Sequence, residues 1–223
     1  MNLSKESIIN YESRIRNKKV IVLPQYPYLL FFRNGEYSLG SQDVSKFSKG
    51  SYTGEVCAKG LKEIGVKYCL VGHSERKEFF NENNNDFKQK IQNTLDNEMI
   101  PIYCVNETEQ DYFNDSELKK IEEQLEAIPM FTKYIIIAFE PTWLIGKSSI
   151  NIDIKHINKV LRFIKSYLME RNINHSIIYG GGINSDNIEM LSYLDCNDGF
   201  IISSSALNLE ELDLIYNTLS NKQ

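Results

Sequence analysis

Seven short runs of mostly apolar, strand-forming residues punctuate the chain: KKVIVL (18–23), YSLGSQ (37–42), KYCLVG (67–72), MIPIYCV (99–105), KYIIIAF (133–139), HSIIYG (175–180) and DGFIIS (198–203). Most are continuously apolar rather than alternating, which suits parallel strands covered on both faces. Helical spacing fills the gaps. Residues 1–19 place Ile8, Tyr11 and Ile15 on one face, and a short helix is expected near 26–33. Phe87, Ile91 and Leu95 keep a four-residue step, and Leu118, Ile121 and Leu125 keep steps of three and four. The longest stripe runs Ile154, Ile157, Leu161, Ile164, Leu168, with Asp153 as its N-cap. Ser185 is expected to cap a helix carrying Ile188 and Leu191, and Leu209, Leu212, Ile215 and Leu219 form the last stripe.

Repeating strand–helix units of ~30 residues predict an α/β fold with a parallel sheet. No linker or shift in composition divides the chain, so residues 1–223 read as one domain. An open doubly wound sheet and a closed eight-stranded barrel both fit. Seven strands against about eight helices, with a helix first, leave a closed barrel one strand short before residue 1.

Composition narrows the function classes. A formal charge of −5 without any Lys/Arg-rich run argues against nucleic acid. No apolar stretch approaches the ~20 residues that span a bilayer, and the N-terminus has no apolar signal-peptide core. Cys57, Cys69, Cys104 and Cys196 are scattered without a C-x-x-C pair, as expected of reduced thiols in a cytosolic protein. His73, His156 and His175 are far from one another in sequence, so no metal site is expected.

In parallel α/β folds, active sites collect at the C-terminal ends of strands. The 67–72 run delivers His73 ahead of Ser74–Glu75–Arg76, which can open a helical turn. An imidazole there is pushed toward neutrality by the helix dipole and can polarise a carbonyl. A lone surface histidine is the plainer reading of that residue by itself. The 133–139 run delivers Glu140, placed to act as a general base; a solvated or Arg-paired carboxylate is its plainer alternative. Pro141 and Trp143 then stiffen a segment whose tip carries Gly146 and Ser148–Ser149, the build of a lid. Gly180–Gly182 open a capped segment that can aim N–H groups at a phosphate, and Ser203–Ser205 follow one unit later. Such pairs of loops form the phosphate site of barrels.

Together these motifs resemble the triosephosphate isomerase family. YCLVGHSERKEFF resembles its histidine signature, IAFEPTWLIGKSS its glutamate-and-lid signature, and IIYGGGINSDNIEML and DGFIISSSALN its two phosphate loops. GSQDVSKFSKGSYTGEV (40–56) resembles the loop that joins two subunits. The resemblance implies a (β/α)8 barrel, here without its first strand. It implies cofactor-free interconversion of dihydroxyacetone phosphate and D-glyceraldehyde 3-phosphate through an enediol(ate), in glycolysis and gluconeogenesis, by a cytoplasmic homodimer joined around residues 45–55. Glu140 would be the base and His73 the neutral electrophile, with Glu75 and Cys104 in support. Backbone N–H groups of Gly146, Gly182, Ser203 and Ser204 would hold the phosphate, and Thr53 would reach the neighbour's site. Arg76 would pair with a carboxylate such as Glu82 or Glu107.

The departures carry their own expectations. The family's first strand ends in Asn-x-Lys, whereas MNLSKE looks like the residues just after that lysine. Without that charge this chain is expected to be weakly active or inactive, and a longer natural chain is the competing explanation. Ser203–Ser204 stand where the family usually has two glycines, and Gly182 replaces a serine. Asn106 takes a usual glycine position, where Asn would tolerate positive φ, and the tip GKSS replaces GTGK. An isomerase of another small sugar phosphate, or a non-catalytic binding protein or scaffold, stands as the alternative.

Overall fold

The computed structural model describes residues 3–144 and 152–222. In chain order, helix α1 (Lys5–Ile15) leads to β1 (Ile21–Val22), a 3-10 turn (Tyr26–Phe31) and β2 (Ser38–Ser41). Then come α2 (Ala58–Glu63), β3 (Tyr68–Val71), α3 (Ser74–Phe80), α4 (Asn84–Asp96) and β4 (Ile100–Val105). Helices α5 (Glu109–Phe113) and α6 (Glu117–Leu125) precede β5 (Tyr134–Phe139) and a 3-10 turn (Thr142–Leu144). The chain closes with α7 (Ile154–Glu170), β6 (Asn174–Tyr179), α8 (Ile188–Leu191), β7 (Gly199–Phe200), a third 3-10 turn (Ser205–Leu207) and α9 (Leu209–Ser220). The strands are hydrogen-bonded neighbours in chain order, from β1 to β7.

Two compact units share the chain: residues 1–103 with 127–135, and residues 104–126 with 136–223. In the first, β1 pairs in parallel with β2 (Ile21 with Ser38), β2 with β3 (Gly40 with Tyr68) and β3 with β4 (Tyr68 with Ile100). Its core holds Ile8 and Ile15 from α1, Leu61 from α2, and Phe87 and Ile91 from α4, all nearly or fully inaccessible. Helix α1 begins where Ser4 accepts the Ser7 N–H and ends at Ile15, inside the expected span of residues 1–19. Helix α4 begins at a reciprocal cap: Asn83 accepts from the first turn and Asp86 accepts the Asn83 N–H.

In the second unit, β6 pairs in parallel with β7 (Ile178 with Gly199). The Glu140 N–H donates to Val105 O at 2.9 Å, and the Gly180 N–H donates to Phe139 O at 2.9 Å. Both bonds carry the ladder one residue past the strand ends. Helix α7 is capped by Asp153, whose carboxylate accepts the Lys155 and His156 N–H groups. It buries Ile157, Leu161, Ile164 and Leu168 as the stripe requires, and also His156.

All seven expected strands form among the described residues. No stripe in the sequence singles out α2 or α5, which are too short to repeat one; α2 also carries Gly60. One cap is corrected. Asn184, not Ser185, turns the chain into α8, because its Oδ1 accepts the Asp186 and Asn187 N–H groups at 3.0 Å. The Ser185 N–H instead donates to Glu211 at 3.3 Å. Asn106 is also corrected: it is absent from the residues with positive φ. Its backbone is held just past the end of β4 by Gln124, which accepts its N–H at 3.1 Å and donates to its carbonyl at 2.7 Å.

Candidate active site

Glu140 directly follows β5 and is 5% exposed. Its side chain lies against Gly180: a Cβ on that glycine would stand 3.0 Å from Glu140 Cγ and 3.1 Å from its Oε1. The same Cβ would meet Ile201 Cγ2 at 2.5 Å, so the position admits no side chain. A buried carboxylate is thus seated on the first residue of the three-glycine loop.

That loop turns through Gly181 (φ 141°), a conformation that only glycine adopts without strain, and Gly182 (φ 58°), in the left-handed region that glycine enters freely. Asn187 Nδ2 donates to Gly182 O at 2.8 Å, and Ser205 Oγ donates to Ile183 O at 2.6 Å. The second bond ties the loop after β6 to the one after β7. Ser203 and Ser204 are exposed there, with Ser204 opening the last 3-10 turn. The Tyr179 hydroxyl is buried beside Gly181 and Pro141 without a hydrogen bond among the described residues, and burial pushes its phenol well up.

After Glu140 the chain is held by Glu107. The Glu107 carbonyl accepts the Thr142 N–H at 3.0 Å and its Oγ1 hydroxyl at 2.9 Å. Its fully buried carboxylate accepts Trp143 Nε1–H at 3.2 Å and meets His156 Nε2 at 2.6 Å. Cys104, in β4, is completely buried. Gly146 and the expected lid tip lie outside the described residues.

In the first unit, His73 caps α3. Its Nδ1 accepts the Glu75 N–H at 3.3 Å, while the Glu75 carboxylate stands 3.6 Å away, beyond hydrogen-bonding range. In that geometry Nδ1 is the accepting nitrogen, and Nε2 is the ring atom left for a partner. Glu75 itself is exposed.

Helix α3 is fixed by ions behind it. Arg76 pairs with Glu82 and, at 3.3 Å, with Asp43. Lys90, 4% exposed at its side chain, bridges Asp43 at 2.7 Å and Glu82 at 2.6 Å. Burial pushes the Asp43 carboxyl up against the pull of Lys90 and Arg76. Of the two partners expected for Arg76, Glu82 is the one found; Glu107 is taken by Trp143 and His156. Thr53 is exposed beyond a stack of Phe47 on Tyr52, centroids 3.6 Å apart.

The triosephosphate isomerase family model matches residues 2–219. The chain belongs to that family. Three similar relatives are named triosephosphate isomerase. One from Buchnera aphidicola subsp. Baizongia pistaciae is 35% identical over 219 residues, covering 91% of this chain and 86% of the relative. One from Orientia tsutsugamushi (strain Boryong) is 38% identical over 193 residues, covering 83% and 77%. One from Gloeobacter violaceus is 32% identical over 207 residues, covering 90% and 84%. The chain is therefore of an isomerase family whose fold is the (β/α)8 barrel, and the described residues supply seven parallel strands in chain order.

Two residues of these clusters, one in each unit, escape a reading by sequence. Asp43 and His156 each join a charged cluster through partners 47 and 49 residues away in the chain. The available signal for His156 was a polar residue on the buried face of the α7 stripe. Among the described residues, no helix is long and apolar enough to cross a membrane.

Proposed function

We propose that this chain interconverts dihydroxyacetone phosphate and D-glyceraldehyde 3-phosphate by proton transfer through an enediol(ate), without a cofactor. The observation that carries this reading is the buried Glu140 carboxylate seated on Gly180, at the mouth of a glycine loop suited to phosphate. This pairing of a glutamate base with a neutral histidine is the known pattern of triosephosphate isomerase itself.

Glu140 takes a proton from the carbon beside the substrate carbonyl, and the C–H electron pair moves into the forming enediolate. Negative charge gathers on the carbonyl oxygen, where His73 Nε2–H donates. Glu140 returns its proton to the neighbouring carbon while His73 relays the hydroxyl proton, which completes the aldose–ketose exchange. Backbone N–H groups of Gly182, Ser203, Ser204 and Gly146 hold the phosphate dianion, so that its charge stays fixed while the carbon end reacts. Glu75 supports His73 through the turn that its N–H closes, and Cys104 backs the site as a packed thiol. The working molecule is a cytoplasmic homodimer joined around residues 45–55, with Thr53 reaching the neighbour's site, and it acts in glycolysis and gluconeogenesis.

Proton NMR of dihydroxyacetone phosphate in D2O with this protein tests the reading. Interconversion with deuterium entering the carbon next to the carbonyl is expected. Glu140→Gln should lower kcat by about 10²–10⁴-fold with an unchanged circular dichroism spectrum. No interconversion by the folded parent chain would overturn the proposal.

A further inference from the structure

We propose that His156 is a positioning residue for the Glu140 base, acting through Glu107 and Trp143. The inference rests on Glu140 being that base. Four observations point the same way. Glu107 Oε1 receives both the Trp143 indole N–H (3.2 Å) and His156 Nε2 (2.6 Å), so one oxygen links the residue three past Glu140 to the first turn of α7. The Tyr112 ring closes the group from the side, 4.9 Å from Trp143 and edge-on to His156 at 4.6 Å. Its hydroxyl donates to Asp153 at 3.2 Å, the residue that caps the helix carrying His156. Finally, Glu107 is inaccessible and its second oxygen has no hydrogen bond among the described residues.

A fully buried carboxylate needs a close donor. The indole bond is long, and the His156 bond is short. Without His156 the Glu107 carboxylate must turn toward another donor or take up a proton, and either change loosens its hold on Trp143. Between Trp143 and Glu140 stand only Thr142, bonded twice to the Glu107 carbonyl, and Pro141, whose φ is locked. Displacement of the turn therefore passes to Glu140, where small errors of placement cost rate rather than substrate affinity.

Trp143 is the only tryptophan in the sequence, so its emission reports on this cluster alone. His156→Phe keeps a ring against Tyr112 but removes the donor; His156→Gln returns a donor near the place of Nε2. Acrylamide quenching of the substrate-free protein and steady-state kinetics with dihydroxyacetone phosphate are compared across the three. For His156→Phe, quenching is expected to rise about twofold as the indole is released. Its kcat should fall about ten- to a hundredfold with KM little changed, and His156→Gln should restore both. His156→Leu, which also lacks a donor, replaces the phenylalanine variant if that one does not fold. Parent-like quenching and kcat in the variant without the donor would overturn the proposal, as would a failure of glutamine to rescue. A parent protein that shows no turnover would instead overturn the isomerase reading, and quenching would still decide whether His156 holds Trp143.

Discussion

Gly180 shows how one missing side chain can set a catalytic group. The space its Cβ would need is filled by Ile201 and by Glu140. Gly180→Ala must displace one of them, and such overpacking typically costs about 1–3 kcal/mol. Because Ile201 follows β7 and is hydrogen-bonded to Tyr179, the Glu140 side chain is the easier one to move. The expected result is a modest loss in thermal stability and a much larger fractional loss in kcat, measured by differential scanning calorimetry and by turnover on the same sample. Equal losses in both would show that Glu140 keeps its place.

Among the elements, α1 and α3 are each anchored by buried charge, with different consequences. In α1, Glu12 accepts from Arg16 at 2.7 Å and from the Tyr37 hydroxyl at 2.9 Å, which ties the helix to the start of β2. The Arg16 hydrogen bond, helped by Tyr37, holds the Glu12 carboxyl below its ordinary value despite burial. A depressed acid stabilises the fold above its unfolded pKa of about 4.3, and that contribution is lost as pH falls through the lower folded value. The melting temperature of the parent should therefore fall more steeply below about pH 4.3 than that of Glu12→Gln. Tyr37 is pushed up to about 12, by burial first and then by Glu12. Its contribution is present below its unfolded value of about 10 and is lost as pH rises toward the folded one.

For α3 the anchor is Lys90, which separates Asp43 from Glu82. Lys90→Met leaves two buried carboxylates against Arg76 alone. Removing one partner from such a network typically costs about 3–5 kcal/mol. Urea unfolding should show that loss, and His73, which caps α3, should lose its fixed place with it. A loss under about 1 kcal/mol would mean that the carboxylates find water or protons instead.

For the whole molecule, the proposed homodimer gives an exposed apolar surface a purpose. Phe47 and Tyr52 stack beside Thr53, Ser45 Oγ donates to Glu55 at 2.5 Å, and Lys46 pairs with Asp86 at 2.6 Å. This arm is stiffened before any partner arrives, which lowers the ordering cost of association. Sedimentation equilibrium should report a dimer, and Phe47→Ala combined with Tyr52→Ala should raise its dissociation constant by at least about tenfold, a little over 1.4 kcal/mol. A parent chain that sediments as a monomer at high concentration would rule out the arm's role.

Much of this was written in the chain. Continuous apolar runs located all seven described strands, because a parallel strand buried on both faces tolerates almost nothing polar. Asp153 was legible as a cap, and Gly180–Gly182 as a loop needing glycine, because both follow from local backbone geometry. Glu140 and His73 stood out as polar residues at the ends of apolar strands. The short helices α2 and α5 were not legible because they are too short to repeat a stripe, and the turn made by Asn184 was not because it depends on two side-chain to backbone bonds. Least visible were the partners of buried charge. Glu107 with His156 and Trp143, and Lys90 with Asp43 and Glu82, join residues that only folding brings together. Where the strands end, and which chemistry waits there, follows from the order of residues alone, because those signals are local. The tertiary structure alone decided which buried acid meets which base, because desolvation makes every such charge seek the nearest partner in space, whatever its distance along the chain.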